Sequence, residues 1–192
     1  MDTQKERLST LHAQVTQHLQ QGLIPYWLTR AWDDTYGGYL TNFDEHGQPL
    51  DTPEKYLNTQ ARLLWWFSTL YRRHPDLAQA GALAAKGFEF LLAHFWDTER
   101  GGWYWKVQRD GGRLDDGKVV YGESFAIYAL SEYTLATGDA AQLVLHAEQR
   151  LHDVAESVAL ANVAVGLFAE DRHPERPPGE AAQLAGVEAM LR

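Results

Sequence analysis

The chain has 192 residues, 45% apolar and 22% charged, a composition typical of a folded globular domain and not of a disordered chain. It contains no cysteine, which excludes disulfides and thiolate chemistry. The formal net charge is −9, from 17 basic and 26 acidic residues, and this balance argues against nucleic acid or an anionic membrane as a partner.

The first predicted element is a helix in the polar N-terminal segment. Its apolar residues recur three or four positions apart, as on one face of a helix: Leu8, Leu11, Val15 and Leu19. We expect this helix to end at Gly22 and Pro25. The segment lacks the apolar stretch of a signal peptide, and the sequence has no apolar run long enough to span a bilayer. A cytoplasmic protein without a membrane partner is therefore expected.

An eight-residue motif occurs twice, 64 positions apart. Residues 32–39 read Trp-Asp-Asp-Thr-Tyr-Gly-Gly-Tyr and residues 96–103 read Trp-Asp-Thr-Glu-Arg-Gly-Gly-Trp. The paired glycines suit a chain reversal with positive φ, and the Asp beside each Trp suits capping of backbone amides. We interpret the motif as a turn that positions a helix. The alternation in residues 103–108, followed by Asp-Gly, predicts a small β-hairpin.

Each copy of the motif leads into an aromatic helix, predicted at 55–71 and at 118–133. Further helices are predicted at 77–95, 139–159 and 179–192. Together with the first, this gives about six helices in three pairs, with short β-hairpins between the pairs. Such an all-α repeat indicates a solenoid or a closed ring of helices. We expect residues 1–192 to form a single domain.

The aromatic helix at 55–71 carries the first candidate site. Arg62 is the only charged residue between Lys55 and Arg72, and Asn58 and Trp65 lie about one turn away on the same face. An indole stacks on the apolar face of a sugar, and an amide binds hydroxyls. A guanidinium also stays charged and stabilises an enolate oxygen. An arginine that snorkels to the surface, or one that pairs with a carboxylate at the helix edge, is an equally good interpretation.

The helix at 118–133 carries the second candidate site in its first turn. There Tyr121 is placed to donate a hydrogen bond to a sugar oxygen, and Glu123 to bind hydroxyls or move protons. A packed ring and a partner for the helix dipole are the structural alternatives. The histidine pairs are six positions apart and fall on different helix faces, so no metal site is expected. The sequence has no phosphate-binding loop and no nucleophilic serine elbow.

Three segments carry a family resemblance: 60–71, which includes Gln60-Ala61-Arg62; 101–111, with Gly-Gly-Trp-Tyr-Trp; and 120–133, which begins Val-Tyr-Gly. In order and spacing they resemble the N-acylglucosamine 2-epimerase family, which includes cellobiose 2-epimerases and mannose isomerases. The resemblance implies an (α/α)6 toroid of about twelve helices. This chain would supply the N-terminal half, and residues 139–192 form a weakly matching tail.

The resemblance also implies a reaction. Family members interconvert free aldoses at C2 through a cis-enediolate, giving the C2 epimer or the ketose, and need no metal or organic cofactor. Arg62 matches the arginine that steadies the enediolate oxygens, and Tyr121 a tyrosine that contacts the substrate. Two histidines move the proton in the family, and Ala185 stands where the first of them is expected.

Two other functions remain open at this stage. One is an inactive or degenerate fragment with at most weak carbohydrate binding, whose exposed half-ring edge would favour self-association. The other is a glycoside hydrolase on the same toroid, which works with paired carboxylates. The hydrolase is the weaker alternative, because the aromatic helices offer only Glu123 as a suitably placed acid.

Overall fold

The computed structural model describes residues 2–138, which form four helical runs and one small sheet. In chain order the elements are α1 (Asp2–His18), a π-helical turn (Leu19–Leu23), α2 (Ile24–Arg30), β1 (Glu54–Tyr56), α3 (Leu57–Arg73), α4 (Ala78–His94), β2 (Lys106–Gln108) and α5 (Val120–Thr137). The expected all-α class is confirmed. The helices predicted at 139–159 and 179–192 lie outside the described residues, and none of the described helices has the length and apolar content to span a bilayer.

The N-terminal helix does not end where the sequence predicted. Gly22 lies in the π-helical turn, and the chain continues as α2 to Arg30. Pro25 occupies the first turn of α2, where a helix needs no backbone N–H donor, so the proline is tolerated there. The prediction that Gly22 and Pro25 terminate the helix was therefore wrong.

The three long helices α3, α4 and α5 confirm the helices predicted at 55–71, 77–95 and 118–133. One boundary was wrong in a way that matters for the site. Lys55 was expected to open the first aromatic helix, but it lies in strand β1, and α3 begins at Leu57. At the far end of α5, Gly138 adopts a φ of 76° and closes the helix.

Both copies of the repeated motif form the expected turn. In the first copy Gly37 and Gly38 have φ values of 75° and 73°. The Oδ1 atom of Asp33 accepts hydrogen bonds from the backbone N–H groups of Thr35 and Tyr36, at 3.2 and 3.3 Å. The second copy, residues 96–103, repeats these torsions and caps 64 positions later. The interpretation of the motif as a positioning turn is confirmed.

The strand that follows the second turn pairs mainly with the other repeat. β2 is antiparallel to β1, with Glu54 opposite Gln108 and Tyr56 opposite Lys106. The hairpin predicted from residues 103–108 and the Asp-Gly turn after them is reduced to one bridge, between Val107 and Arg113. The sheet therefore joins the two repeats where α3 and α5 begin.

Helices α3 and α5 lie side by side and point in the same direction. The Trp65 ring of α3 stacks on Tyr128 of α5, 5.1 Å between centroids and 16° between planes, and Arg62 lies over the Phe125 ring. Both pairs are 63 positions apart, which fixes a parallel register. The helices are packed onto α4 by fully buried side chains, among them Leu57, Leu64, Phe67, Leu91 and Phe95.

Candidate functional site

The parallel register brings Arg62 and Tyr121 to the same end of the helix pair, around the ring of Phe125. The Arg62 Cζ atom lies 5.6 Å from the Phe125 centroid. The Tyr121 ring lies 4.9 Å from the same centroid, at an angle of 68°. Arg62 and Tyr121 are both exposed. Phe125 is thus the neighbour that Arg62 and Tyr121 share, a role that the sequence did not predict because it depends on the register between the two helices.

The charge of Arg62 is not neutralised by the part of the chain that the structure describes. Within residues 2–138, ten close ion pairs form, and none of them involves Arg62. An arginine held by a carboxylate at the helix edge was one structural alternative, and the described residues do not supply that carboxylate. The other alternative, an arginine that snorkels to the surface, agrees with the exposure of Arg62. The cation–π contact with Phe125 holds the guanidinium without cancelling its charge.

Asn58 and Trp65 flank Arg62 on α3, and both are half-buried. Asn58 lies in the first turn of the helix, at the end where the sheet joins the repeats. Trp65 lies about two turns further along α3, and one face of its indole is covered by Tyr128. Only its remaining surface is therefore available to stack on a ligand.

Glu123 makes a contact within the fold. Its Oε1 atom accepts a hydrogen bond from the backbone N–H of Trp103, at 3.3 Å. Gln60 occupies the equivalent position in the first repeat and holds the backbone of Tyr39 with both amide atoms, at 2.7 and 2.8 Å. This contact gives Glu123 a structural role at the turn. Its binding of a sugar stays a prediction.

In the two Gly-Gly turns, two buried carboxylates, Asp33 and Asp97, hold the chain in place. The Nζ of Lys55 and the Nε of Arg109 each lie 2.9 Å from Asp33 Oδ2, and in the second repeat Lys118 lies 2.7 Å from Asp97. Burial of Asp33 opposes its ionisation, but the hydrogen bonds from Arg109 and Lys55 outweigh burial and lower its pKa. The pKa of Asp97 is also well below its usual range, mainly through its hydrogen bond with Lys118. Both carboxylates therefore stay ionised as structural groups.

The described residues contain no cluster of three or more histidine, aspartate or glutamate side chains arranged to hold a metal. We call the end of α3 and α5 that carries the candidate residues the site end. It offers the permanent cation of Arg62, the phenol of Tyr121, the carboxamide of Asn58 and aromatic surface. Those groups suit a neutral, hydroxyl-rich ligand that becomes anionic during a reaction.

Residues 38–192 match the family model described as N-acylglucosamine 2-epimerase (GlcNAc 2-epimerase). The chain belongs to the N-acylglucosamine 2-epimerase family. The matched region includes α3 and α5 with all five candidate site residues. It continues past residue 133, where the last motif that carried the resemblance ends.

Individual N-acylglucosamine 2-epimerase family members show how much of the fold is shared. The chain is 32% identical over 144 residues to a cellobiose 2-epimerase of Bacteroides fragilis, covering 75% of this chain and 36% of that one. It is 29% identical over 145 residues to the human N-acylglucosamine 2-epimerase, covering 72% and 33%. The structure of cellobiose 2-epimerase from Spirochaeta thermophila superposes with a TM-score of 0.70 at 30% identity, covering 77% and 36%. The chain thus spans about a third of its relatives' length, and its expected sugar-epimerase fold is confirmed.

Proposed function

We propose that this chain carries the N-terminal, sugar-binding part of an enzyme that acts on free aldoses at C2. The product is the C2 epimer or the corresponding ketose, and the intermediate is a cis-enediolate. One observation carries this proposal: Arg62 and Tyr121 meet around Phe125 at the site end of α3 and α5. No carboxylate of the described part pairs with that arginine.

The chemistry explains why an arginine belongs there. Loss of the C2 proton from an open-chain sugar places negative charge on two neighbouring oxygens, O1 and O2. A guanidinium presents parallel N–H donors in one plane, which matches a pair of cis oxygens as it matches a carboxylate. Arg62 would stabilise the enediolate without acting as a base. A donor aimed at a developing oxyanion is worth on the order of 10²–10³-fold in rate.

The other candidate groups would bind and orient the sugar. The Tyr121 hydroxyl would hydrogen-bond a sugar oxygen close to the one held by Arg62. Asn58 would bind a hydroxyl from the first turn of α3, and the uncovered part of Trp65 would pack on an apolar sugar face. Glu123 has one carboxylate oxygen engaged with Trp103 and would use the other. The C2 proton would pass to a general base outside these five residues and would return to C2, or be delivered to C1, from a protonated base of the same enzyme. Proton transfer and charge stabilisation then account for the whole reaction, so the proposal includes neither a metal nor an organic cofactor.

A second candidate function is sugar binding without turnover. It is favoured by Ala185, which stands where the resemblance implies the first proton-transferring histidine. Glu123 is the one carboxylate among the five candidate residues, and its Oε1 atom is engaged in the turn. A chain with the enediolate-stabilising arginine but without the base would bind sugars and leave their C2 protons in place.

Incubation in deuterated water separates the two functions. The purified chain is mixed with mannose, N-acetylglucosamine or cellobiose, and C2 is followed by proton NMR. Deuterium at C2 supports the enzyme, because the proton must leave and return through the enediolate. Saturation-transfer signals from a bound sugar without deuterium at C2 support the second candidate. A chain that neither exchanges the C2 proton nor binds any of these sugars would contradict both candidate functions.

A further inference from the structure

A lysine that is paired with a turn aspartate precedes each of the two helices of the site. Lys55 lies three residues before Asn58, and Lys118 lies three residues before Tyr121. Each lysine binds the buried carboxylate of the Gly-Gly turn in its own repeat. The two lysines are 63 positions apart, and so are Asn58 and Tyr121. Two candidate site residues therefore follow an equivalent ion pair at the same distance along the chain.

The ammonium group of Lys118 contacts the second Gly-Gly turn at two points. Its Nζ atom lies 2.7 Å from Oδ2 of Asp97, whose side chain is only 4% exposed, and it also donates to the carbonyl of Gly101. The aliphatic part of the side chain packs on the same turn, because a Cβ atom on Gly102 would lie 3.3 Å from its Cδ. Hydrogen bonds between ionised groups are short and strong, so these contacts fix the lysine on the turn.

The first turn of α5 depends on that attachment for its position. Val119, at the N-cap, has no polar side chain with which to cap the helix, and the first turn of an uncapped helix is weakly held. Tyr121 projects from this turn and is 54% exposed. A tyrosine that is more than half exposed is not fixed by packing alone, so its position follows the backbone that carries it. Lys118 fastens that backbone to the turn.

We infer that Lys118 is a positioning residue that holds Tyr121 in its place beside Arg62. The lysine fixes the start of α5 on the second Gly-Gly turn and does not itself contact the sugar. This inference rests on the proposed function, in which Tyr121 binds a sugar oxygen. Lys118 is better suited to a test than Lys55, because the two side chains are 27% and 4% exposed and the more exposed one is less important to the core.

A double-mutant cycle on the full chain tests whether Lys118 acts through the tyrosine. Lys118→Met removes the ammonium group, and we expect the rate of deuterium exchange at C2 to fall by on the order of 10-fold to 10²-fold, as it does when an active-site group moves by up to about 1 Å. Mannose affinity, measured by isothermal titration calorimetry, should fall about fivefold, the value of one hydrogen bond. In Tyr121→Phe, which lacks the hydroxyl to be positioned, adding Lys118→Met should change either quantity by less than about twofold.

Two further variants complete the experiment. Lys118→Arg keeps the positive charge and should retain most of the wild-type rate. Lys106→Met is the matched control, because Lys106 is 28% exposed and pairs with Glu54 in the sheet, at 3.2 Å. It should stay within about twofold of wild type. Circular dichroism checks that each variant is folded, and if Lys118→Met is not, the cycle is run with Lys118→Gln, whose amide still donates to the turn.

Failure of the positioning role and failure of the proposed function give different results. If Lys118→Met lowers the rate and the affinity equally in the wild-type and Tyr121→Phe backgrounds, the lysine supports the fold in general. The positioning role is then wrong, while the site at Arg62 stands. The same conclusion follows if Lys118→Met leaves both quantities at wild-type values. If wild type neither exchanges the C2 proton nor binds the sugar, the proposed function fails and the positioning role with it.

Discussion

The Nζ atom of Lys55 lies 2.9 Å from Oδ2 of Asp33, and the two side chains are only 4% and 2% exposed. The carboxylate belongs to the first Gly-Gly turn, and the lysine to the strand that runs directly into α3. Arg109, from the second repeat, donates to the same oxygen. One buried carboxylate therefore fastens the turn, the strand and the neighbouring repeat at the end of α3 that carries Arg62.

Loss of that carboxylate should be costly. Asp33→Asn leaves two cations around a neutral amide, and we expect the free energy of unfolding at pH 7 to fall by about 3 kcal/mol, as when one partner of a buried ion pair is removed. Urea denaturation followed by circular dichroism measures the change. Asp34→Asn alters the exposed neighbour in the same turn and should cost no more than about 0.5 kcal/mol. Equal effects from the two variants would contradict the role given to Asp33.

Acid should destabilise the fold through the same groups. The pKa values of Asp33 and Asp97 are lower in the folded chain than in the unfolded one. Their contribution is therefore complete above the unfolded pKa of about 3.9 and is lost as the pH falls through the folded pKa. We expect the urea midpoint to drop below about pH 4, and to drop less steeply in Asp33→Asn. Parallel pH curves for the two proteins would count against this assignment.

Gly87 should not tolerate a side chain. A Cβ atom there would lie 1.9 Å from the Tyr39 hydroxyl oxygen. That hydroxyl is fixed by its 2.9 Å hydrogen bond to the Leu83 carbonyl. We expect Gly87→Ala to cost about 2 kcal/mol of unfolding free energy, as overpacking does, measured by thermal and urea denaturation. In Gly22→Ala the nearest atom would be 3.5 Å away, so this control should be neutral or slightly stabilising.

The apolar stripe of α1 should drive self-association. Leu8, Leu11 and Val15 are each more than half exposed, and a contiguous apolar stripe of this kind favours contact with another molecule. We expect sedimentation velocity to show association that Leu11→Glu reduces. Leu135→Glu, at an isolated exposed leucine of α5, provides the comparison and should leave the sedimentation coefficient unchanged. A monomeric wild type at all concentrations would show the prediction to be wrong.

The sequence predicted most of the helices because their signals are local. Long periodic segments located α3, α4 and α5, and the repeated glycines predicted the turns. The errors arose where a distant contact decides the structure. The residues around Lys55 predicted a helix there, but Lys55 lies in strand β1, from which it pairs with Asp33. Gly22 and Pro25 are strong helix terminators on average, but the π-helical turn and the first turn of α2 accommodate them.

The candidate site residues could be proposed from the sequence one by one, but where they meet could not. Arg62 was proposed as a candidate because no other charged residue lies near it in the sequence. The family motifs pointed to both Arg62 and Tyr121. Their meeting point at Phe125 depends on the parallel register of α3 and α5, which local periodicity does not specify. The pairing of β1 with β2 across the repeats is non-local for the same reason.

The most direct test of the account is the rate of deuterium incorporation at C2 in wild type, Arg62→Ala and Arg73→Ala. Arg73 is an exposed arginine at the other end of α3 and serves as the control. We predict exchange in wild type, an unchanged rate in Arg73→Ala and a rate lower by on the order of 10²–10³-fold in Arg62→Ala. Exchange as fast in Arg62→Ala as in wild type, or no exchange in wild type, would contradict it.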